Sequence, residues 1–474
     1  MKKQFFYAAL AIGMMSSCTS SDLPGNQAPE EQLPEEERVA IELGISSPNA
    51  KIEASTKGIG SVGGTGIGDD TNQWNGETLG VWMYKVTTDD GGITTETPAP
   101  ENESVSTYIF DGLTFKAPTG TDEGKIEMIK DATPTYQVKY YPSKGAYSFY
   151  GFHLGGASGT ENMNAKTISA ITIDGTNDIM AAGTLEVNSG NYPSAHAPGV
   201  NTPPTEGWET IAKQSFSAWS ARRGIQPTLA FEHKLARLRF FVKAGDESAS
   251  THKWDGSSEW IPRDLVPVSD GASGTVDVTQ AVQITSIKVN ELAEKVDMTL
   301  EKGPDGKIVA LTANAGAERT TPFTLMRRAA VGQDLVPLEP VAAKCWNDPT
   351  SGATTGTGFE AMSQVGESIM FLPEEGTTDS QLDIEIGVSQ AVLDTYEKDP
   401  SGDPTNKKYI VKNDILRTVL NAANISGSSA GEFVAGNNYD IIITVYSYSK
   451  IEITAQLTAW GNGGSINVAP GDEF

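Results

Sequence analysis

The sequence predicts an all-β fold, and three of its features carry that reading. Its 474 residues include 49 glycines and 25 prolines, a density of turn formers that suits many short strands better than long helices. Its apolar residues alternate with polar ones over short stretches, the two-residue period of a strand with one buried and one wet face. Helical periodicity is confined to two short stretches, Ser389–Tyr396 and Asn413–Ala422, each expected as a short helix or turn. The length exceeds what one core normally serves, so two β-sandwich domains are expected. The stretch from Glu186 to Gly224, rich in Gly, Asn and Pro, divides them. Four segments follow: a leader over 1–17, a tether over 18–38, one domain over 39–225 and another over 226–474.

The leader reads first. Lys2-Lys3 precedes an apolar run from Phe5 to Met15, too short to span a bilayer, and then Ser16-Ser17-Cys18. Small residues directly before a cysteine at that spacing mark a bacterial lipoprotein signal, so Cys18 becomes the lipidated first residue of the mature chain. From Thr19 to Arg38 the chain is Ser, Pro, Asn, Gln and Glu with almost nothing to bury, which predicts an extended, flexible tether.

Folding starts near Val39. In Val39–Ser46 the odd positions Val39, Ile41, Leu43 and Ile45 are large aliphatics and the even ones small or polar. Further strands are expected over Thr78–Tyr84, Gln137–Tyr141, Tyr147–Phe152, Ile168–Ile173, Thr228–Val242, Ile284–Val289, Ser368–Leu372 and Leu382–Val388. Within Thr228–Val242 the apolar phase switches from odd (Leu229, Phe231) to even (Ala236, Leu238, Phe240), which predicts a β-bulge near His233–Leu235. Tyr439–Val445 and Ile451–Trp460 alternate in the same manner on either side of Tyr446–Lys450, predicting a terminal hairpin.

Chemistry is sparse. The formal net charge of −26 repels phosphate backbones and argues against nucleic-acid binding. The four histidines, His153, His196, His233 and His252, show no zinc-ligand spacing, so neither a metal nor a cofactor is expected. With Cys18 lipidated, Cys345 has no intrachain partner and reads as a small buried hydrophobe. The glycine-rich run from Gly58 to Gly68 lacks the lysine and following helix of a phosphate loop. Asp174–Asp178 lacks calcium-loop spacing and reads as a turn. No catalytic constellation emerges, so the chain is not expected to be an enzyme.

Several separated landmarks together resemble the fimbrillin family of Bacteroidales, lipoprotein subunits of strand-exchanged pili. They are Cys18, Val39–Ser46, Trp74–Val81, Tyr140-Tyr141-Pro142 with Tyr147–Phe152, Asn177–Met180, Phe231–Phe240, Gly436–Asp440 and Leu457–Trp460. The resemblance implies two transthyretin-like β-sandwich domains and a lipid anchor (palmitate) in the outer membrane. It also implies assembly. A trypsin-like surface protease cuts after a basic residue beyond the first strand, that strand leaves, and the vacated groove takes a strand from the next fimbrial subunit.

On that reading the displaced strand is Val39, Ile41, Leu43 and Ile45 with their neighbours, and the cut falls at Lys57 or Lys51. Lys57 stands where family members often have Thr-Arg, here Thr56-Lys57, while a cut at Arg38 would leave the strand in place. The donor is the segment 451–460, with Ile451, Ile453, Ala455, Leu457 and Ala459 on its apolar face; Ile466 and Val468 offer a short second segment. The expected role is a fimbrial subunit supporting adhesion to an unidentified host or bacterial receptor. A second reading is a surface lipoprotein that stacks glycans on Tyr140, Tyr141, Trp208, Trp254 or Trp260.

Overall fold

The computed structural model describes residues 38–46, 74–89, 94–100, 108–121, 124–128, 138–142, 145–184, 216–222, 226–269, 274–302, 308, 311–315, 318–328, 334–346, 355, 359–360, 362–374, 380–398, 404–426 and 432–458. The fold is all-β: among these residues the sole α-helix is the four-residue turn Ala218–Ala221. Four sheets of four or more strands occur among the described residues, one of them the four-stranded sheet of Thr160–Asn162, Thr167–Thr172, Lys295–Thr299 and Thr312–Ala313; the other three organise most of the fold. A nine-stranded sheet runs in the order Gly124–Lys125, Gly44–Ser46, Thr228–His233, Met180–Thr184, Ala146–His153, Thr78–Thr88, Asp111–Lys116 and Glu127–Met128, with Thr94–Pro98 also paired to Thr78–Thr88. A four-stranded sheet runs Ser363–Phe371, Ala236–Ala244, Asn438–Ser447 and Lys450–Thr458. A seven-stranded sheet is built on the long hairpin of Gln381–Lys398 and Pro404–Asn421.

The nine-stranded sheet is buried on both faces, which explains why Leu79-Gly80-Val81-Trp82-Met83-Tyr84 reads as one unbroken apolar run. Leu79, Val81 and Met83 enter a core with Phe149, Met180, Leu229 and Phe231. Trp82 and Tyr84 point the other way, into a larger core. That larger core also receives Leu238 and Phe240 from the four-stranded sheet and Ile384, Ile386 and Val388 from the seven-stranded one.

Several expected strands appear with longer bounds, as Thr78–Thr88, Ala146–His153, Gln283–Asn290 and Ser363–Phe371. Three expectations are corrected. The phase switch near His233–Leu235 is no bulge: the chain leaves the nine-stranded sheet at His233 and enters the four-stranded one at Ala236. Leu229 and Phe231 face one core and Leu238 and Phe240 the other, so a change of sheet produces the change of phase. Residues Ser389–Tyr396 and Asn413–Asn421 are strand, not helix, and only Ala422 begins a 3-10 turn; the rest lie in the two 18-residue strands of the long hairpin, where cross-strand pairing overrides weak local helix preference. Val39–Ser46 is regular only over Gly44–Ser46, with Ala40 making an isolated bridge to Tyr140.

The position of the expected division, 225/226, lies just before the last strand of the nine-stranded sheet. Three strand pairings among the described residues cross it, one of them between Gly44–Ser46 and Thr228–Ala230. Thr228–His233 pairs Met180–Thr184, and Thr167–Thr172 pairs Lys295–Thr299.

Candidate strand-exchange site

The first strand is wedged between elements far away in sequence. Gly44, Ile45 and Ser46 run parallel to Thr228, Leu229 and Ala230 on one side, and Gly44 and Ile45 pair antiparallel with Lys125 and Gly124 on the other. Residues before it are held by single backbone bonds: Ile41 N–H to the Lys139 carbonyl (2.9 Å), Tyr141 N–H to the Val39 carbonyl (2.9 Å) and Ile126 N–H to the Leu43 carbonyl (3.0 Å). The alternation read from sequence is preserved. Leu43 and Ile45 are 3% and 1% exposed, and Val39 and Ile41 are half-buried against the same core. Even-numbered Glu42 faces water and accepts a hydrogen bond from Lys125, a surface pair of small energetic weight.

Around the inward side chains the wall is aromatic. Trp74 packs edge-on to Phe231 at 5.2 Å, and Tyr141 lies against Tyr147 and Phe149, all in the core that Leu43 and Ile45 join. Removing the strand would open this wall and leave the backbone groups of 124–126 and 227–230 without their partners.

The terminal hairpin forms as the alternation predicts. Lys450–Thr458 pairs antiparallel with Asn438–Ser447 and is the edge of the four-stranded sheet. Ile451, Ile453 and Leu457 are half-buried against the larger core and Ala455 is buried, while Glu452, Thr454 and Gln456 face water. On its outer side, Ser426 makes a bridge to Gln456, donating to the Ala455 carbonyl and accepting from the Leu457 N–H. The parallel pairing of Asn438–Ser447 with Ala236–Ala244 is reinforced by buried polar contacts, one of them ionic. Arg239 donates Nε and Nη2 to the two oxygens of Asp440 at 2.7 and 2.8 Å, and Arg237 Nε donates to Asn438 at 2.7 Å. Breaking such a buried charge pair from one side costs about 3–5 kcal/mol, so two sequence landmarks, 231–240 and 436–440, are linked here by charge.

Cys18, Lys51, Lys57, Ala459, Ile466 and Val468 lie outside the described residues, as do Trp208 and His196. Arg38 is exposed, its guanidinium 5.9 Å from the Tyr140 ring centre, directly before the first-strand segment. Aromatic residues weighed as glycan platforms are largely core: Tyr141 and Trp260 are 1% and 3% exposed, and Trp254 stands edge-on to Trp260. His233 is buried, with Nδ1 2.9 Å from Asp178 Oδ1, and so anchors the crossover between sheets. Cys345 is buried, its thiol pushed up by desolvation. No group of three or more His, Cys, Asp or Glu with metal-holding geometry occurs among the described residues.

Sequence reasoning missed one polar cluster. Glu96 accepts hydrogen bonds from Lys166 Nζ and Ser148 Oγ, each at 2.5 Å, and from Tyr150 OH at 2.7 Å, while Lys166 lies over the Tyr84 and Tyr150 rings. Burial pushes the Glu96 carboxyl up, but these donors and the Lys166 charge outweigh it and hold the group below its ordinary range. Burial, reinforced by Glu96, pushes the Tyr150 hydroxyl far upward, so it stays a donor. Its members lie up to 70 residues apart, and no local pattern announces them.

No family model and no curated protein matches the chain. Solved structures similar to it include a candidate cell adhesion protein of Bacteroides uniformis, at 12% identity and a TM-score of 0.39, covering 90% of this chain and 100% of that one. Another is a candidate cell adhesion protein of Parabacteroides distasonis, at 9% identity and 0.37, covering 90% and 97%. The fimbrial anchor protein Mfa2 of Porphyromonas gingivalis is similar at 11% identity and 0.27, covering 89% and 99%. These TM-scores all lie below 0.5, so the functional reading rests on this chain's own strand pairing and burial.

Proposed function

We propose that this chain is a structural, non-enzymatic subunit of a surface fimbrium. It is exported as a lipoprotein through Cys18, held at the outer membrane, and joined to other fimbrial subunits by donor-strand exchange, with adhesion as its purpose. The two sandwich modules of this reading divide at about 225/226. The observation that carries the reading is the first-strand segment: it lies near the start of the mature chain, fills an aromatic-walled slot with Leu43 and Ile45, and pairs on both sides with distant elements. Such a segment is separable by one cut, and its loss leaves an apolar slot with unpaired backbone that another strand can fill. The donor is Lys450–Thr458 with the residues after it, an edge strand bearing the same alternation. Head-to-tail donation does not close on itself and so builds a filament.

Lys57→Gln tests the processing step. Amino-terminal sequencing of sheared surface protein should find a start at Gly58 in the parent and only the longer, lipid-blocked form in the variant, with loss of heat-sensitive oligomer ladders. A variant that matures unchanged removes Lys57 from the assignment.

A further inference from the structure

Among the described residues, the long hairpin carries an edge left largely unpaired, one that the exchange site does not use. Within the seven-stranded sheet, Pro404–Asn421 pairs with Gln381–Lys398 along its whole length on one side. On its other side, strand pairing among the described residues is confined to one position, Tyr409 with Val268. In an antiparallel ladder successive residues aim their peptide groups to opposite sides. The Ile415 N–H donates to the Asp414 carboxylate at 2.8 Å, not across to Gly387, its neighbour in the register. Ile415 therefore faces the open side, and by alternation so do Val411, Asn413, Arg417 and Val419.

Those five positions also share one sheet face, and its aliphatics are the exposed kind that edges normally avoid: Val411, Ile415 and Val419 are 41%, 62% and 58% exposed. Their order, Val-Asn-Ile-Arg-Val at every second residue, is matched to itself when reversed about Ile415. An antiparallel copy of the same strand would set Ile415 against Ile415, Val411 against Val419 and Asn413 against Arg417. On the opposite face Lys412 meets Thr418 and Asp414 meets Leu416. No like charges oppose one another in this register, and Arg417 already has Glu385 at 3.0 Å as its counter-charge. The bridge at Tyr409 and the turn after Asn421 confine the free edge to about this window.

We infer that this edge pairs with the same edge of a second copy of the chain, antiparallel and two-fold symmetric about Ile415, joining the two seven-stranded sheets into one. An open edge calls for a strand, and the apolar and charge match selects a second copy as the occupant. This contact lies in a different sheet from the exchange site and needs no cleavage. It would cross-link subunits sideways, whereas strand exchange extends them lengthwise.

The test uses the uncleaved chain beginning after Cys18, so that neither lipid nor strand exchange contributes. Light scattering at high micromolar concentration should give the mass of two chains, and Ile415→Lys, which places like charges on the symmetry axis, should weaken association roughly tenfold or more. Mild oxidation should link Ile415→Cys chains to each other. Asn413→Cys and Arg417→Cys should link only when the two variants are mixed. Ile415 is exposed, so loss of folding does not complicate the result, and circular dichroism verifies this. A single-chain mass for the parent, an Ile415→Lys chain that associates equally well, or Asn413→Cys chains that link to themselves would each overturn the inference.

Discussion

Deleting the first strand is the most exposed prediction of the exchange reading. Leu43 and Ile45 are almost fully buried, and burial of such side chains is worth about 1.5–3 kcal/mol each. Val39 and Ile41, half-buried, add about half that apiece. The strand therefore contributes on the order of 4–9 kcal/mol, an upper range because the unfolded chain is not fully extended. Whole domains are stable by only about 5–15 kcal/mol. A chain beginning at residue 47 should thus lose most of its stability in the sheet that holds Gly44–Ser46, seen as a large drop in denaturant midpoint and as binding of a hydrophobic dye. A peptide of residues 39–46 supplied in trans should restore the midpoint, and a peptide of residues 450–460 should do so as well. Were the shortened chain to unfold at the midpoint of the intact one, the slot would not depend on its strand, and the reasoning would fail. Were only the 39–46 peptide to rescue, the donor assignment would fall while the slot stood.

Two further outcomes are expected. Thr444 and Glu452 stand directly opposite across the terminal hairpin, on the face away from the larger core, so Thr444→Cys with Glu452→Cys should staple the donor at home. Oxidised chains should fail to elongate into ladders after processing and resume elongation once reduced; elongation of the oxidised form would clear Lys450–Thr458 of the donor role. The second concerns acid. Glu96 titrates below its ordinary range when folded, so its contribution is present above the unfolded value near pH 4 and is lost as pH falls through the folded one. Glu96→Gln should cost about 1.5–3 kcal/mol at neutral pH and flatten the acid limb of the stability profile; an acid limb of unchanged slope would remove Glu96 as its cause.

How legible the molecule was depended on whether a pattern was local. Alternation in Val39–Ser46 and in Ile451–Leu457 correctly named which side chains point inward, because the two-residue period depends on the strand alone. It could not say what a strand pairs with. A phase change such as that between Leu229 and Leu238 looks the same whether one sheet bulges or two sheets share a chain; the His233–Ala236 crossover became visible only when Leu229 and Leu238 were seen in different cores. The stretches 389–396 and 413–422 misled for a related reason: in the long hairpin their outward residues are exposed aliphatics, so the polar–apolar contrast that marks a strand is blurred. Glu96 with Lys166 was invisible in sequence since its partners meet only in three dimensions.

Exchange must also be favourable once the donor's own pairing is counted. As the proposed donor, Lys450–Thr458 would give up its ladder with Asn438–Ser447 on leaving and would gain a comparable one on docking, so backbone pairing would nearly cancel. What does not cancel is side-chain burial. At home, Ile451, Ile453 and Leu457 are only half-buried because their strand is an edge. In the vacated slot they would take the places of residues such as Leu43 and Ile45, which are closed in on both sides. Moving three aliphatics from half to full burial yields about 2–5 kcal/mol per joint, or roughly 30- to several-thousand-fold at 1.4 kcal/mol per decade. That gain exists only after the first strand has gone. The uncut chain holds its slot with a covalently tethered occupant, whose high effective concentration excludes a donor from outside. On the proposed exchange, cleavage would act as the switch: it would leave the donor's affinity as it was and remove the competitor.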